Sequence, residues 1–254
     1  MKITDVRQFY YTFGRRVFHL VKLETDEGIY GIGEATLRVK TPAVRECISL
    51  LGQKLAGHSV FDIESMFHRY FTHDRWRNGP IMNTAISSIE MAMWDAIGKK
   101  LRVPVYNLMG GKMSDRCQLY ANGWSKSGGA HVADLAKDTV DKGFKALKWD
   151  PISWPPFASR DRNKVTLEMI DRAVAEVGHV RQAVGDEVLL FLELHGRCDV
   201  DQALRLARGV EPFRPGFIEE PLEPDDWAGY HKLSLKTEIP LAAGERLFTR
   251  HGHR

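Results

Sequence analysis

Residues 188–199 read VLLFLELHGRCD, an apolar run that ends in an acidic residue and a histidine. Six of the seven positions 188–194 are apolar, which is typical of a strand buried on both faces of a parallel sheet. Glu193 lies inside this run, and an ionised carboxylate removed from water is costly unless a cation or a donor pairs with it. His195 follows two residues later and shares its face of the strand. The stretch predicts a buried strand whose end carries chemistry.

Similar apolar runs recur from about residue 117 onward. The strand-like runs are CQLYANGW, ALKWD, VLLFLELH, GFIEEP and PLAAGE. Helix-like segments separate them at residues 130–142, 165–184, 200–209 and 225–235. Repeated βα units with apolar strands predict a parallel sheet. Because these units carry no GxGxxG turn, a dinucleotide-binding fold is disfavoured.

The preceding residues predict a separate α+β domain. Residues 17–35, VFHLVKLETDEGIYGIGEA, predict two strands joined by a turn at residues 26–28. Residues 41–58 predict a helix with one apolar face, formed by Val44, Ile48, Leu51 and Leu55. Helical patterns continue through residues 61–109. We therefore predict an α/β protein with an α+β domain at 1–115 and a partial (β/α) barrel at 116–254.

Composition excludes several classes of function. The 254 residues are 43% hydrophobic and 27% charged, with a net charge of +3, and the basic residues are scattered. We therefore expect neither nucleic acid nor a membrane surface as a partner. No apolar run approaches about 18 residues, and the N-terminus lacks a signal-peptide pattern. The three cysteines form no CxxC pair, which indicates core thiols and a cytoplasmic location.

Three glutamates end three successive strand-like runs. Glu193, Glu219 and Glu245 are separated by 26 residues each (219 − 193 and 245 − 219). A barrel βα unit has roughly 30 residues, so the three carboxylates are expected at the C-terminal rim of neighbouring strands. Carboxylate oxygens suit Mg²⁺. A single such glutamate is more often a solvated loop residue, but the regular spacing favours a Mg²⁺ site. Side chains alternate along a strand, so only one of Glu219 and Glu220 faces this site, and we select Glu219.

Two further positions are candidate catalytic residues. His195 is a candidate general acid because the histidine pKa lies near working pH, although a histidine after a strand is more often a hydrogen-bonded loop residue. Lys148 and Asp150 end the run ALKWD and share one face. We predict that Lys148 neutralises either a substrate carboxylate or the glutamates; the alternative is a surface lysine.

Longer motifs resemble a known family. The stretch AISSIEMAMWDAIGKKLRVPVYNLMGG (85–111), the segment GIGEA (31–35) and the three glutamates resemble the mandelate racemase/muconate-lactonizing branch of the enolase superfamily. The resemblance covers essentially the whole chain. It implies an N-terminal capping domain over a modified barrel, bound Mg²⁺, a small-molecule carboxylate substrate, and α-proton abstraction to give a metal-stabilised enediolate.

The resemblance also narrows the reaction. Racemases of the family carry KxK where this chain has KWD, so Asp150 replaces their basic lysine. His195, Gly196 and Arg197 resemble galactonate dehydratase-type sugar-acid dehydratases, whose histidine protonates the departing β-hydroxyl. Those enzymes carry aspartate where this chain has Glu193. We therefore expect dehydration of an aldonate, with a racemase or epimerase acting on a hydroxy acid, or a non-catalytic remnant, as alternatives.

Five residues are candidates for substrate binding. They are Arg15, His19, Trp76, Asp150 and Arg197. An arginine fork suits a polyhydroxy carboxylate, and a tryptophan can stack on a sugar-acid face. We place residues 15–19 and 74–80 in substrate-facing loops of the capping domain; the alternative for such arginines is a solvated surface position.

The number of strands bears on activity. A closed barrel needs eight strands, and five are found, so at about 30 residues per unit roughly 90–120 residues are missing. The resemblance places the base, an Asp-His pair, on the sixth and seventh strands. We therefore expect a homo-oligomeric full-length form, whereas this chain alone would show no dehydratase turnover. Measurable α-proton exchange by the purified chain would contradict this expectation.

Overall fold

The chain divides into two units in a computed structural model that describes residues 1–14, 16–125, 132–152 and 165–253. The N-terminal unit comprises Met1–Asp115 and Phe248–Arg254, and the C-terminal unit comprises Arg116–Leu247. The predicted division placed residues 248–254 with the second domain, whereas they group with the first unit.

An antiparallel sheet of three strands forms one layer of the N-terminal unit. Its strands, in sheet order, are β1 (Ile3–Phe13), β2 (Arg16–Thr25) and β3 (Tyr30–Glu34). Glu24 pairs with Tyr30 across the β2–β3 turn, so the predicted hairpin is confirmed.

Helices form the second layer of this unit. They are α1 (Thr41–Leu55), α2 (Ile63–Phe67), which continues into a π-helical turn at His68–Thr72, α3 (Pro80–Leu101) and α4 (Val105–Leu108). The apolar face predicted for α1 is buried at all four positions. It packs into one core with Val21 and Leu23 of β2 and with the apolar face of α3.

Two glycines allow β3 to lie directly against α3. A Cβ atom at Gly31 would overlap the backbone of Ala92, and one at Gly33 would overlap the backbone of Ser88. The close approach therefore requires residues without a side chain at both positions.

We expect Gly31→Ala to destabilise the chain by about 1–3 kcal/mol, since the added methyl group has no room to move away from helix backbone. Urea unfolding followed by circular dichroism measures the loss. Ile32→Ala is the control, because Ile32 lies between the two glycines and is exposed. An equal or smaller loss for Gly31→Ala than for the control would contradict the packing argument.

The C-terminal unit is a parallel sheet of five strands with helices between them. The strands, in sheet order, are β4 (Ala121–Asn122), β5 (Ala146–Trp149), β6 (Leu189–Glu193), β7 (Phe217–Glu219) and β8 (Leu241–Ala242). The helices are α5 (Val132–Asp141), α6 (Leu167–Val184), α7 (Val200–Val210), a 3₁₀ turn at Glu211–Phe213, and α8 (Trp227–Ser234). A last helix, α9 (Thr249–Gly252), belongs to the N-terminal unit. The predicted α/β class and the five parallel strands are confirmed.

Strand register determines which side chains share a face. Leu190 and Leu192 are fully buried in the core of the C-terminal unit, whereas the alternate residues Phe191 and Glu193 face the other side of the sheet. Phe191 stacks on Phe217 of β7 at a centroid distance of 4.1 Å. The side that carries this aromatic pair is therefore also the side that carries Glu193.

Register also corrects one prediction. Glu193 pairs with Glu219, as the 26-residue interval predicts. Glu219, however, pairs with Ala242, only 23 residues later (242 − 219). Glu245 is therefore not the end of β8: it lies three residues beyond this pair, in a turn, and is exposed. The prediction of three carboxylates at equal height was wrong for Glu245, because the connection between β7 and β8 is shorter than the one before it.

The thiols are free and differ in burial. Cys198 is buried and Cys47 is partly buried, but Cys117 is exposed, so the prediction of core thiols is wrong for Cys117. Within the described part of the chain, no helix combines the length and the apolar character needed to cross a membrane.

Candidate active site

Two glutamates at the ends of adjacent strands share one lysine. Lys148 of β5 donates to Glu193 Oε2 at 2.6 Å, and its Nζ lies 2.7 Å from Glu219 Oε2. The side chains of Lys148 and Glu193 are 8% and 6% exposed, so their charges interact with little screening by water. The arrangement favours the prediction that Lys148 neutralises the glutamates over the alternative of a surface lysine.

Burial and charge act in opposite directions on this cluster. Burial alone lowers the pKa of Lys148, but the hydrogen bonds and negative charges of Glu193 and Glu219 outweigh burial, so the net pKa is raised. Burial raises the pKa of Glu193, and donation from Lys148 opposes that rise. The lysine is therefore held as an ammonium, and the ionised form of Glu193 depends on it.

His195 is held beside this cluster by Asp150. Its Nδ1 lies 3.0 Å from Asp150 Oδ2, and its backbone N–H donates to Glu193 Oε1 at 2.9 Å. Arg197 Nη2 donates to the other oxygen of Asp150, and Arg197 Nε donates to the carbonyl of Leu194 at 2.9 Å. One carboxylate thus orients the ring of His195 and also holds the guanidinium two residues further along.

The environment of His195 suits a proton donor. The hydrogen bond with Asp150 raises the pKa of His195 more than burial lowers it, and the charges of Glu193 and Asp150 raise it further. Because a carboxylate only accepts, Nδ1 carries the proton of that bond, and Nε2 is left to exchange a proton with a ligand. The side chain of His195 is 55% exposed, so a ligand can reach it.

The donor set fits a divalent cation at two of the three predicted positions. Oxygens of Glu193 and Glu219 already converge on one cationic group, and carboxylate oxygens are the donors that Mg²⁺ prefers. In the described ranges, which omit residues 15, 126–131, 153–164 and 254, no group of three or more His, Cys, Asp or Glu side chains is gathered for a metal. Glu245 stays a prediction as the third ligand.

Comparison with known proteins identifies the family. Residues 6–110 match the family described as "Mandelate racemase / muconate lactonizing enzyme, N-terminal domain", and residues 131–254 match "Enolase C-terminal domain-like". The chain belongs to the enolase superfamily, in its mandelate racemase/muconate lactonizing enzyme branch. A mandelate racemase/muconate lactonizing enzyme structure from Sulfitobacter sp. has a TM-score of 0.89 at 30% identity, covering 100% of this chain and 68% of that one.

Curated relatives in the enolase superfamily include two sugar-acid dehydratases. The chain is 37% identical over 235 residues to D-gluconate dehydratase of Thermoproteus tenax, covering 91% of this chain and 46% of the relative. It is 36% identical over 232 residues to D-galactonate dehydratase of Ralstonia nicotianae, covering 91% of this chain and 58% of the relative. The chain therefore spans about half the length of these relatives.

The three substrate-binding candidates in the N-terminal unit have different outcomes. Arg15 lies outside the described residues. Trp76 is 91% exposed. His19 lies in β2 and is fully buried, so the prediction of a loop position was wrong. Its Nε2 is 2.8 Å from Gln8 Oε1 and its ring stacks on Tyr10, and burial lowers its pKa. Substrate binding by these residues stays a prediction.

One ion pair near the site was missed in the sequence. Glu220, 1% exposed, is held by Arg246, whose Nε donates to Glu220 Oε1 at 3.0 Å. The two residues are 26 positions apart, which is also the interval between Glu193 and Glu219. That interval was a usable signal, because it places Arg246 one βα unit after Glu220.

Proposed function

We propose that this enolase-superfamily protein is a Mg²⁺-dependent sugar-acid dehydratase acting on an aldonate. The observation that carries the proposal is the Asp150–His195 hydrogen bond next to the paired carboxylates of Glu193 and Glu219. The relatives named D-gluconate and D-galactonate dehydratase support the reaction class. In this reaction the acid loses its α-proton and its β-hydroxyl group, and the resulting enol becomes a 2-keto acid.

His195 is the proposed general acid. In the imidazolium form, the proton on Nδ1 is held by Asp150 Oδ2, and the proton on Nε2 is transferred to the β-hydroxyl. The carbon–oxygen bond then breaks, water leaves, and His195 becomes neutral. We assign the acid to this residue, and we assign no base to the described residues.

The surrounding residues have supporting roles in the proposal. Glu193 and Glu219 would hold Mg²⁺, with Glu245 as the third ligand. When bound, Mg²⁺ supplies positive charge to the substrate carboxylate, where negative charge develops after proton loss. Lys148 keeps the glutamates ionised. Asp150 and Arg197 were predicted to bind substrate, but their mutual contact favours positioning of His195.

A substrate panel tests the function. The protein expressed from its natural gene is incubated with Mg²⁺ and with D-gluconate, D-galactonate, other aldonates and aldaric acids, and 2-keto acid formation is measured. We expect turnover of at least one aldonate, loss of turnover with a chelator, and recovery with Mg²⁺. Failure to convert any acid would contradict the proposal. Exchange of the α-proton without loss of water would instead favour the racemase or epimerase alternative.

Glu219→Gln tests the metal site without turnover. Since even partners outside the ligand shell alter affinity 10–100-fold, we expect loss of a ligand to weaken Mg²⁺ binding at least about tenfold. Isothermal titration calorimetry measures the affinity. Glu238→Gln is the control, because Glu238 is exposed outside this site. Equal Mg²⁺ affinity in the two variants would remove Glu219 from the ligand set.

A further inference from the structure

Arg246 joins two loops at the carboxyl end of the parallel sheet. It follows β8, and its Nη2 lies 2.7 Å from Glu220 Oε2 while its Nε donates to the other oxygen of the same carboxylate. Its Nη1 also donates to Glu223 Oε2 at 3.2 Å. A two-point contact between a guanidinium and a carboxylate fixes orientation as well as distance. Arg246 therefore ties the loop after β8 to the loop after β7.

Glu220 passes this constraint to the turn that carries His195. The backbone of Glu220 has a φ of 42°, a left-handed conformation that is uncommon for residues other than glycine. Its N–H donates to the Ala242 carbonyl at 2.9 Å, and its carbonyl accepts the N–H of Gly196 at 2.7 Å. The side chain held by Arg246 thus belongs to the residue whose carbonyl anchors Gly196.

Arg246 also lies directly against Gly196. A Cβ atom at Gly196 would be 2.5 Å from Arg246 Nη2 and 3.1 Å from the Leu222 carbonyl. Gly196 has a φ of 65°, and the preceding His195 has a φ of 50°. The turn therefore has an unusual backbone conformation, with the guanidinium packed closely against it.

We propose that Arg246 is a positioning residue that keeps the His195 turn in place, so that the ring of His195 stays on Asp150. Arg246 acts through Glu220 and Gly196 and does not touch the reacting atoms. The inference rests on the proposed acid role of His195 for its functional meaning, but the geometry that it predicts is measurable without turnover.

Amide hydrogen exchange and histidine nitrogen spectra of the whole chain test the proposal in Arg246→Gln. We expect exchange of the Gly196 amide to accelerate at least about tenfold while the amides of α7 change little, since the loss is local. We also expect the ring signals of His195 to shift from the Nδ1-protonated form toward a mixture of tautomers. Arg214→Gln is the matched control, because Arg214 forms an exposed ion pair with Asp186 in the same unit.

Arg246→Lys provides a milder variant. It keeps one positive charge but cannot make the two-point contact, so we expect a smaller acceleration at Gly196, and this comparison stands if Arg246→Gln fails to fold. Unchanged exchange at Gly196, or equal acceleration throughout α7, would overturn the proposal. A response at Gly196 with an unchanged His195 ring would also overturn it. Absence of turnover in the unchanged protein would contradict the proposed function alone and leave these measurements valid.

Discussion

His195→Asn is expected to lower dehydration of the aldonate substrate by about 10²–10⁴-fold, the range that general acid catalysis contributes. The amide has no proton of suitable acidity to give to the departing hydroxyl group. Asparagine is chosen because it tolerates the left-handed backbone conformation of residue 195, where φ is 50°. The rate of 2-keto acid formation by the protein expressed from its natural gene measures the effect.

Isotope exchange separates the role of His195 from other causes of inactivity. If His195 acts only on the leaving group, the variant should still exchange the α-proton of the substrate with deuterium from the solvent. His179→Asn is the matched control, because His179 is exposed on α6, and it should retain full turnover. Unimpaired dehydration by His195→Asn would exclude His195 as the acid. Joint loss of dehydration and exchange would indicate a different role for it.

Lys148→Met is expected to destabilise the chain by about 3–5 kcal/mol, the usual cost of removing one partner from a buried ion pair. The variant leaves Glu193 and Glu219 facing each other at paired positions of β6 and β7 without the ammonium between them. Burial already raises the pKa of Glu193, so ionising both carboxyl groups becomes more costly. Urea unfolding at neutral pH measures the loss.

Two further variants identify the cause of that loss. Lys145→Met is the control, because Lys145 is exposed at the start of the same segment, and a surface substitution changes stability by about 0.5 kcal/mol or less. Adding Glu219→Gln to Lys148→Met should recover part of the stability, since it removes one of the two facing charges. A Lys148→Met variant as stable as the control would contradict the ion-pair argument.

Periodicity predicted most of the fold because it reflects burial directly. The apolar residues of α1 and the five strand-like runs behave in the structure as their patterns predict. The same rule was available for His19, which alternates with Val21 and Leu23, and all three side chains are fully buried. A histidine at such a position follows its neighbours into the core, and assigning it to a loop overlooked the alternation.

The site was predictable as far as strand register could be counted. The interval of 26 residues placed Glu193 opposite Glu219, but the same count failed for Glu245, because loop length varies independently of strand pairing. Alternation placed Asp150 on the face of Lys148 but could not show that it contacts His195 and Arg197, which lie 45 and 47 residues further along the chain. Contacts of that kind depend on side-chain conformation, which sequence spacing does not contain.

The Lys148 cluster has a consequence for the order of binding. One ammonium facing two carboxylates leaves one uncompensated negative charge, so an incoming acid anion is repelled. A divalent cation added there would reverse the sign of the cluster, and a monoanionic acid would then bring it to electroneutrality. We therefore expect sequential assembly, with the acid joining second.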